Sequence, residues 1–356
     1  MKKTILPVLM SAMFVVPAVS HAEENVVSQN NTYKVEQAQE KSGWVRDKGD
    51  WYYYNEDGTM AKEWKKINGF WYYFNQDGTM TKYMKNIQGN TYYFNDDGAM
   101  QIGWKKLQGT FGGKWYYFNE DGAMAKGWKK INGSWYYFEE NGAMADSRKT
   151  IGGKTYAFNE DGAMITGWLE IKRGPYTGEW YYYNEDGSMA IGWTKVNGAW
   201  YYLNANGTMK SSVNGWNEGW LDEGGKRYFF DDSGAMRTGK LAEGGTIWHF
   251  NSDGSMVTGW KQLDGEWYYF DDETGAGEQG WFSHNGKWYY FFDVMQTGWV
   301  QDKGTWYYMN EDGTMKTGWL QKDGKWYYLQ SSGAMATGKH FIDGKWYSFK
   351  DNGAMM

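Results

Sequence analysis

The sequence predicts an all-β fold, a solenoid of short β-hairpins built from repeats of about 20 residues. Three observations lead there. Aromatic residues fill 20 % of the 356 positions, with 24 Trp, 30 Tyr and 17 Phe. Glycine occurs 49 times against 3 Pro and no Cys, so tight turns are plentiful and disulfide staples are excluded. From Gly43 onward one string, GWxxxxGxWYYFNxDGxMxx, recurs to Met356. So many rings exclude a disordered chain, and a net charge of -6 offers no basic field to a nucleic-acid backbone.

Residues 1–22 read as a signal peptide. Lys2 and Lys3 precede an apolar run from Ile5 to Val19 that ends in Ser20-His21-Ala22, with small residues where a signal peptidase reads. The run is shorter than the ~20 residues a membrane span needs, so cleavage after Ala22 and export are expected, with no span left afterwards. Cleavage removes Lys2 and Lys3 and takes the net charge from -6 to -8. Residues 23–42 are polar without apolar period and read as a flexible spacer.

Residues 43–356 form fifteen repeats. Their leading positions are Trp44, Trp64, Met84, Trp104, Trp128, Arg148, Trp168, Trp193, Trp220, Lys240, Trp260, Trp281, Trp299, Trp319 and Lys339. Each repeat holds two β-prone runs joined by a tight turn. Trp64 to Ile67, then Asn68-Gly69, then Phe70 to Asn75 is a hairpin signal, because Asn-Gly supplies the two positive-φ residues of a type I′ turn. A second turn at Asp57-Gly58, Asp77-Gly78 and Asp121-Gly122 leads to a Met and the next repeat. A lone hairpin is marginal in water, so stability must come from stacking. Insertions at Gln108 to Lys114 and Lys172 to Glu179 lengthen two hairpin tips, and Val213 to Leu221 reads as a bend or a longer loop.

The leading Trp and the Trp of WYYF lie seven residues apart across a turn and are expected to face each other. Alternation puts that second Trp and the second Tyr on one strand face. Two Trp from one hairpin and one Tyr from the next then form a three-walled box, which suits a quaternary ammonium: the cation lies against ring faces at about 0.5 to 2 kcal/mol per contact. Rings at this period also serve as plain solenoid core. Leu or Val would fill a core as well, however, so the repeated choice of Trp favours the box. Met60, Met80, Met124, Met189 and Met315 read as gap fillers or as box floor.

The repeated string resembles the choline-binding, or cell-wall-binding, repeats of Gram-positive surface proteins and lysins, over residues 43–356. That resemblance implies a left-handed superhelix and, as ligand, choline carried on teichoic or lipoteichoic acid. It also implies boxes made of the leading Trp, the first Trp of WYY and the second Tyr of the following repeat. Seven complete sets follow: Trp44, Trp51 and Tyr73; Trp64, Trp71 and Tyr93; Trp104, Trp115 and Tyr137; Trp168, Trp180 and Tyr202; Trp260, Trp267 and Tyr290; Trp281, Trp288 and Tyr308; Trp299, Trp306 and Tyr328. On the same rule Trp128 with Trp135 meets Ala157, Trp193 with Trp200 meets Phe229, and Trp319 with Trp326 meets Ser348, so each loses a wall or has it changed. Units led by Met84, Arg148, Lys240 and Lys339 depart further, as does the one with Arg227 in the Trp position; Arg148 and Lys240 would repel a cation, so those units are expected to be structural, and a choline-linked dimer is left open.

Nothing in the sequence points to catalysis. Past the signal segment only His249, His284 and His340 remain, there is no Cys, and the recurring acids Glu56-Asp57, Glu120-Asp121 and Glu311-Asp312 sit at turns that Asp favours. A metal, including calcium in those turns, and any other cofactor are not expected. The sequence therefore reads as a secreted, non-enzymatic protein attached to the cell wall or surface by a choline-bearing polymer. A carbohydrate-binding module, for glucan or wall glycan, is the alternative; a surface spacer or competitor of wall lysins is another.

Overall fold

The structure, a computed structural model, describes residues 42–108, 113–172 and 178–356. The expected signal peptide, nearly all of the spacer, and the centres of the two tip insertions lie outside the described residues. The chain divides into two units, 1–101 and 102–356. Among the described residues the first contains three hairpins, Gly43–Tyr54, Glu63–Phe74 and Tyr83–Phe94, and the second contains twelve. All fifteen are antiparallel, each paired within itself, and one gains a short third strand at Val294–Met295. Among the described residues no helix is long and apolar enough to cross a membrane.

The tip turns explain the register. Asn68 and Gly69 have φ of 51° and 87°, the paired positive values of a type I′ turn, which matches the right-handed twist of the flanking strands. The turn sets Ile67 opposite Phe70 and therefore Trp64 opposite Tyr73. Lys48 and Lys303 adopt φ of 50° and 48° at the same position, so the hairpin imposes this backbone where the residue does not prefer it.

Alternation then sorts the WYYF strand. Its Phe turns inward and is wholly buried in Phe74, Phe94, Phe118 and Phe138; Tyr183, Leu203, Met309 and Leu329 take the same place elsewhere. Burying each such side chain contributes about 1.5–3 kcal/mol. Around Phe138 the buried cluster adds Ala125, Ile131 and Met144, with Trp104 packed against it from the preceding repeat. Each hairpin thus completes the core of its neighbour.

Two further contacts tie repeats together. The Met164 amide donates to the Trp135 carbonyl one repeat back (2.8 Å), and the same bond joins Met80 to Trp51, Met144 to Trp115 and Met335 to Trp306. The turn glycine of the following repeat lies directly on the Met side chain. A Cβ on Gly187, whose φ is +79°, would stand 2.2 Å from Met164 Sδ, so only glycine fits. The turn itself is closed by its Asp: Asp186 Oδ1 accepts from the Ser188 amide and hydroxyl, and Oδ2 pairs with Lys154 at 3.0 Å.

The Val213–Leu221 irregularity is a short 3-10 turn, Trp216–Gly219, that brings Trp216 against Phe229 and Trp248 at ring separations of 4.2 and 5.1 Å. The insertion therefore adds a ring to the aromatic stack.

Replacement of Phe138 by Ala is expected to lower the opening free energy of amides in 127–164 by about 3–5 kcal/mol in hydrogen exchange, while amides in 299–349 keep theirs, because each repeat touches only its neighbours. The bonds from Ser188, followed by Lys154, hold Asp186 at about 2, below the usual 3.8. A depressed carboxylate stabilises the fold above its ordinary range and loses that contribution as pH falls towards about 2. Thermal melts between about pH 4 and 2 should therefore fall more steeply for the wild type than for Asp186→Asn.

Candidate ligand-binding boxes

Each leading Trp stands at the junction between two hairpins. Trp128 lies opposite Tyr137 on its own hairpin, and Trp135 lies diagonally from it, opposite Lys130. The two Trp are therefore not direct cross-strand partners as expected, yet they share a sheet face and meet edge to face. Their ring centroids are 6.5 Å apart at 87°. From the next hairpin Tyr156 approaches Trp128 to 4.7 Å at 67°. Three rings thus stand nearly at right angles around a common space.

The same arrangement occurs ten times among the described residues. Trp–Trp separations run from 6.2 to 6.5 Å. Separations from the leading Trp to the following Tyr run from 4.6 to 4.9 Å. The sets led by Trp104 and Trp168 keep this geometry despite the insertions at their tips.

The structure corrects the third wall in every expected set. It is the first Tyr of the following WYY, not the second: Tyr72, Tyr92, Tyr136, Tyr201, Tyr289, Tyr307 and Tyr327 join the Trp pairs led by Trp44, Trp64, Trp104, Trp168, Trp260, Trp281 and Trp299. The reason is the strand alternation itself. The second Tyr points to the same face as the Trp of its own hairpin, one junction further on. Tyr73, Tyr137, Tyr202, Tyr290, Tyr308 and Tyr328 accordingly pack on Trp64, Trp128, Trp193, Trp281, Trp299 and Trp319, and Tyr93 lies opposite Met84. The same geometry completes the three sets expected to lack a wall or to have it changed. Tyr156 serves Trp128, Tyr228 serves Trp193 and Tyr347 serves Trp319, while Ala157, Phe229 and Ser348 belong elsewhere.

The second Trp of nine sets is 39–47 % exposed. A ring used only for packing would be buried; here Arg46, Lys66, Lys106, Lys130 and Lys195 lie 5.6–6.0 Å from the rings of Trp51, Trp71, Trp115, Trp135 and Trp200, whereas among the described residues no cation lies over Trp180, Trp267, Trp288, Trp306 or Trp326. Trp346, whose hairpin is led by Lys339, is 71 % exposed and meets the Phe341 ring at 5.3 Å in place of a leading Trp.

Two boxes open as cavities of about 410 and 320 Å³. The first is lined by Trp128, Trp135, Tyr156, Met164, Glu185 and Asp186, the second by Trp260, Trp267, Tyr289, Met295, Glu311 and Asp312. Met is therefore a fourth wall as well as a packing surface for the turn glycine. The acids come from the turn two repeats downstream, a contribution that reading one hairpin at a time missed.

Hairpins led by a cation are built differently. The Arg148 guanidinium lies 4.0 Å over the Tyr181 ring and the Lys240 ammonium 6.0 Å from Tyr268, each against the first Tyr of the next hairpin. The protein's own charge there takes the ring face that a ligand would use. In the hairpin led by Trp220, Arg227 replaces the second Trp and is held by both carboxylate oxygens of Asp222.

Two family models match this chain. One, a choline-binding repeat, matches residues 108–148, 145–190, 175–216, 244–277, 257–295, 296–339 and 316–356. The other, a putative cell wall binding repeat, matches 42–60, 62–80, 85–100 and 218–236. The chain belongs to the choline-binding repeat family. Among solved structures, choline binding protein F of Streptococcus pneumoniae is 32 % identical, with 84 % of this chain and 99 % of that one covered, at a TM-score of 0.34. The modular autolysin LytC of the same organism is also 32 % identical, with coverage of 66 % and 52 % and a TM-score of 0.44, so the match spans about half of LytC. The choline-binding domain of CbpL, again from Streptococcus pneumoniae, is 26 % identical, with 65 % and 97 % covered, at a TM-score of 0.29. No curated protein matches the chain. As a choline-binding repeat array it is a cell-wall-binding module.

The corrected wall is testable without ligand. Because Tyr347 and not Ser348 packs on Trp319, Tyr347→Ala should change the near-ultraviolet circular dichroism of the Trp319 junction, whereas Ser348→Ala should leave the spectrum unaltered.

Proposed function

We propose that the chain is exported and attaches to the cell wall by gripping choline on teichoic or lipoteichoic acid through many boxes at once, with no catalysis of its own. One observation carries this reading: ten junctions repeat the same three-ring geometry while the second Trp of nine of them stays 39–47 % exposed. Ring faces attract a trimethylammonium group through their quadrupoles, and its methyls ask for no hydrogen bonds. Walls of Trp, Tyr and Met meet both requirements.

The arithmetic favours a multivalent grip. A single small cation in an exposed box binds at about millimolar, near 4 kcal/mol. Several boxes on one repetitive polymer raise the avidity by about 10² to 10⁴, provided that the spacing allows simultaneous engagement. The net charge, -8 after the expected cleavage, disfavours polymer phosphates, so the boxes and not the overall field supply the attraction.

On a quaternary-amine resin the protein should be retained, released by free choline, and not released by NaCl of equal ionic strength. Trp288→Ala together with Trp306→Ala should lower the choline concentration needed for release. Failure to bind, or release by salt alone, would contradict the proposal. Retention on dextran or wall glycan that survives excess choline would replace choline by a sugar as the ligand.

A further inference from the structure

The two cavities are not closed by the two hairpins that supply their rings. Their remaining wall is the Asn-Glu-Asp-Gly turn of the next repeat but one, Glu185-Asp186 for the Trp128 box and Glu311-Asp312 for the Trp260 box. Packing explains how the turn arrives there. Gly187 rests on Met164 and Gly313 on Met295, and these Met are the cavity floors, so the two residues before each glycine are carried to the mouth. The pairs of acids are not equivalent. Asp186 Oδ1 caps its own turn at Ser188 and Oδ2 holds Lys154, whereas Glu185 is exposed at the mouth.

We propose that the Trp128 and Trp260 boxes are three-repeat sites in which the turn glutamate two repeats downstream, Glu185 or Glu311, selects a cationic ligand over its neutral isostere. The inference rests on the choline reading above and adds to it the source of charge selectivity. Ring faces and methyl contacts act on any tert-butyl-like group, but a carboxylate at the mouth rewards only the charged one. In the first unit the corresponding turn carries Asp96 and Asp97, and the charge of Asp97, which holds the place of Asp186, helps, after burial, to raise the Tyr72 hydroxyl above its usual range, so the turn reaches a box wall there too.

The chain holds its own control. Gly333 rests on Met315 just as Gly313 rests on Met295, but its turn reads Gln330-Ser331-Ser332-Gly333. The turn that corresponds to Glu311-Asp312 for the Trp281 pair therefore offers two serines, which makes Ser331→Glu the gain-of-charge counterpart of Glu311→Gln. The residues opposite the second Trp are uncharged in both boxes, Gln262 facing Trp267 and Ser283 facing Trp288, but Trp281 Nε1 donates to Asp302 Oδ2 at 3.1 Å, so each variant is compared with its own wild-type box.

The test uses the full chain labelled with 5-fluorotryptophan. The Trp267 and Trp288 signals, assigned by Trp→Phe replacement, are followed while choline or its uncharged carbon isostere, 3,3-dimethylbutan-1-ol, is titrated. Glu311→Gln should weaken choline at Trp267 by about threefold, the size appropriate to an exposed charge, and leave the alcohol unaffected. Ser331→Glu should strengthen choline at Trp288 by about the same factor. Unchanged choline affinity in both variants, or equal loss for both ligands, would overturn the proposal. A wild-type Trp267 that responds to neither ligand would overturn the box reading itself, an outcome distinct from either.

Discussion

The structure depends on the two-residue alternation of the WYYF strand, locked in place by the positive-φ turn that precedes it. Once the tip turn sets Ile67 against Phe70, every later ring has its direction. Tyr72 and Phe74 point back to the preceding hairpin, while Trp71 and Tyr73 point forward to the next. A slip of one residue would send the core Phe outward and the box Trp inward. Core and site therefore share a single register, and neither can be altered without the other.

This coupling explains how so thin a fold tolerates so many exposed rings. Each hairpin contributes a buried Phe to the core and a half-open Trp to a junction. The leading Trp serves both. It packs on the next hairpin's Phe, at 5.7 Å in the case of Trp128 and Phe158, and forms the back wall of the box. Where the leading residue is Arg148 or Lys240, the junction is made by a cation on a tyrosine face, and the packing role continues without an open box. Specialisation among repeats is thus a matter of one or two side chains on an unchanged backbone.

Most of the fold was legible in the sequence. The period, the Asn-Gly and Asp-Gly turns and the positions of all fifteen hairpins follow from local chemistry that the structure reproduces. The Trp pairs of the seven expected sets do meet, at 6.2–6.5 Å. The third wall was placed one residue too far along the strand, although the alternation that corrects it, Tyr72 back and Tyr73 forward, was itself readable. Two features lay beyond a repeat-by-repeat reading. Met164 reaches the Trp135 carbonyl of the repeat before, and Glu185 reaches a box two repeats back, because stacking and not sequence distance brings them there.

Choline stoichiometry on the full chain is the most direct measure of this account. Equilibrium dialysis against labelled choline, carried to saturation, should approach ten bound ligands per chain, one for each set of two Trp and a following Tyr. Absence of saturable binding, or saturation without the boxes led by Trp128, Trp193 and Trp319, would contradict it.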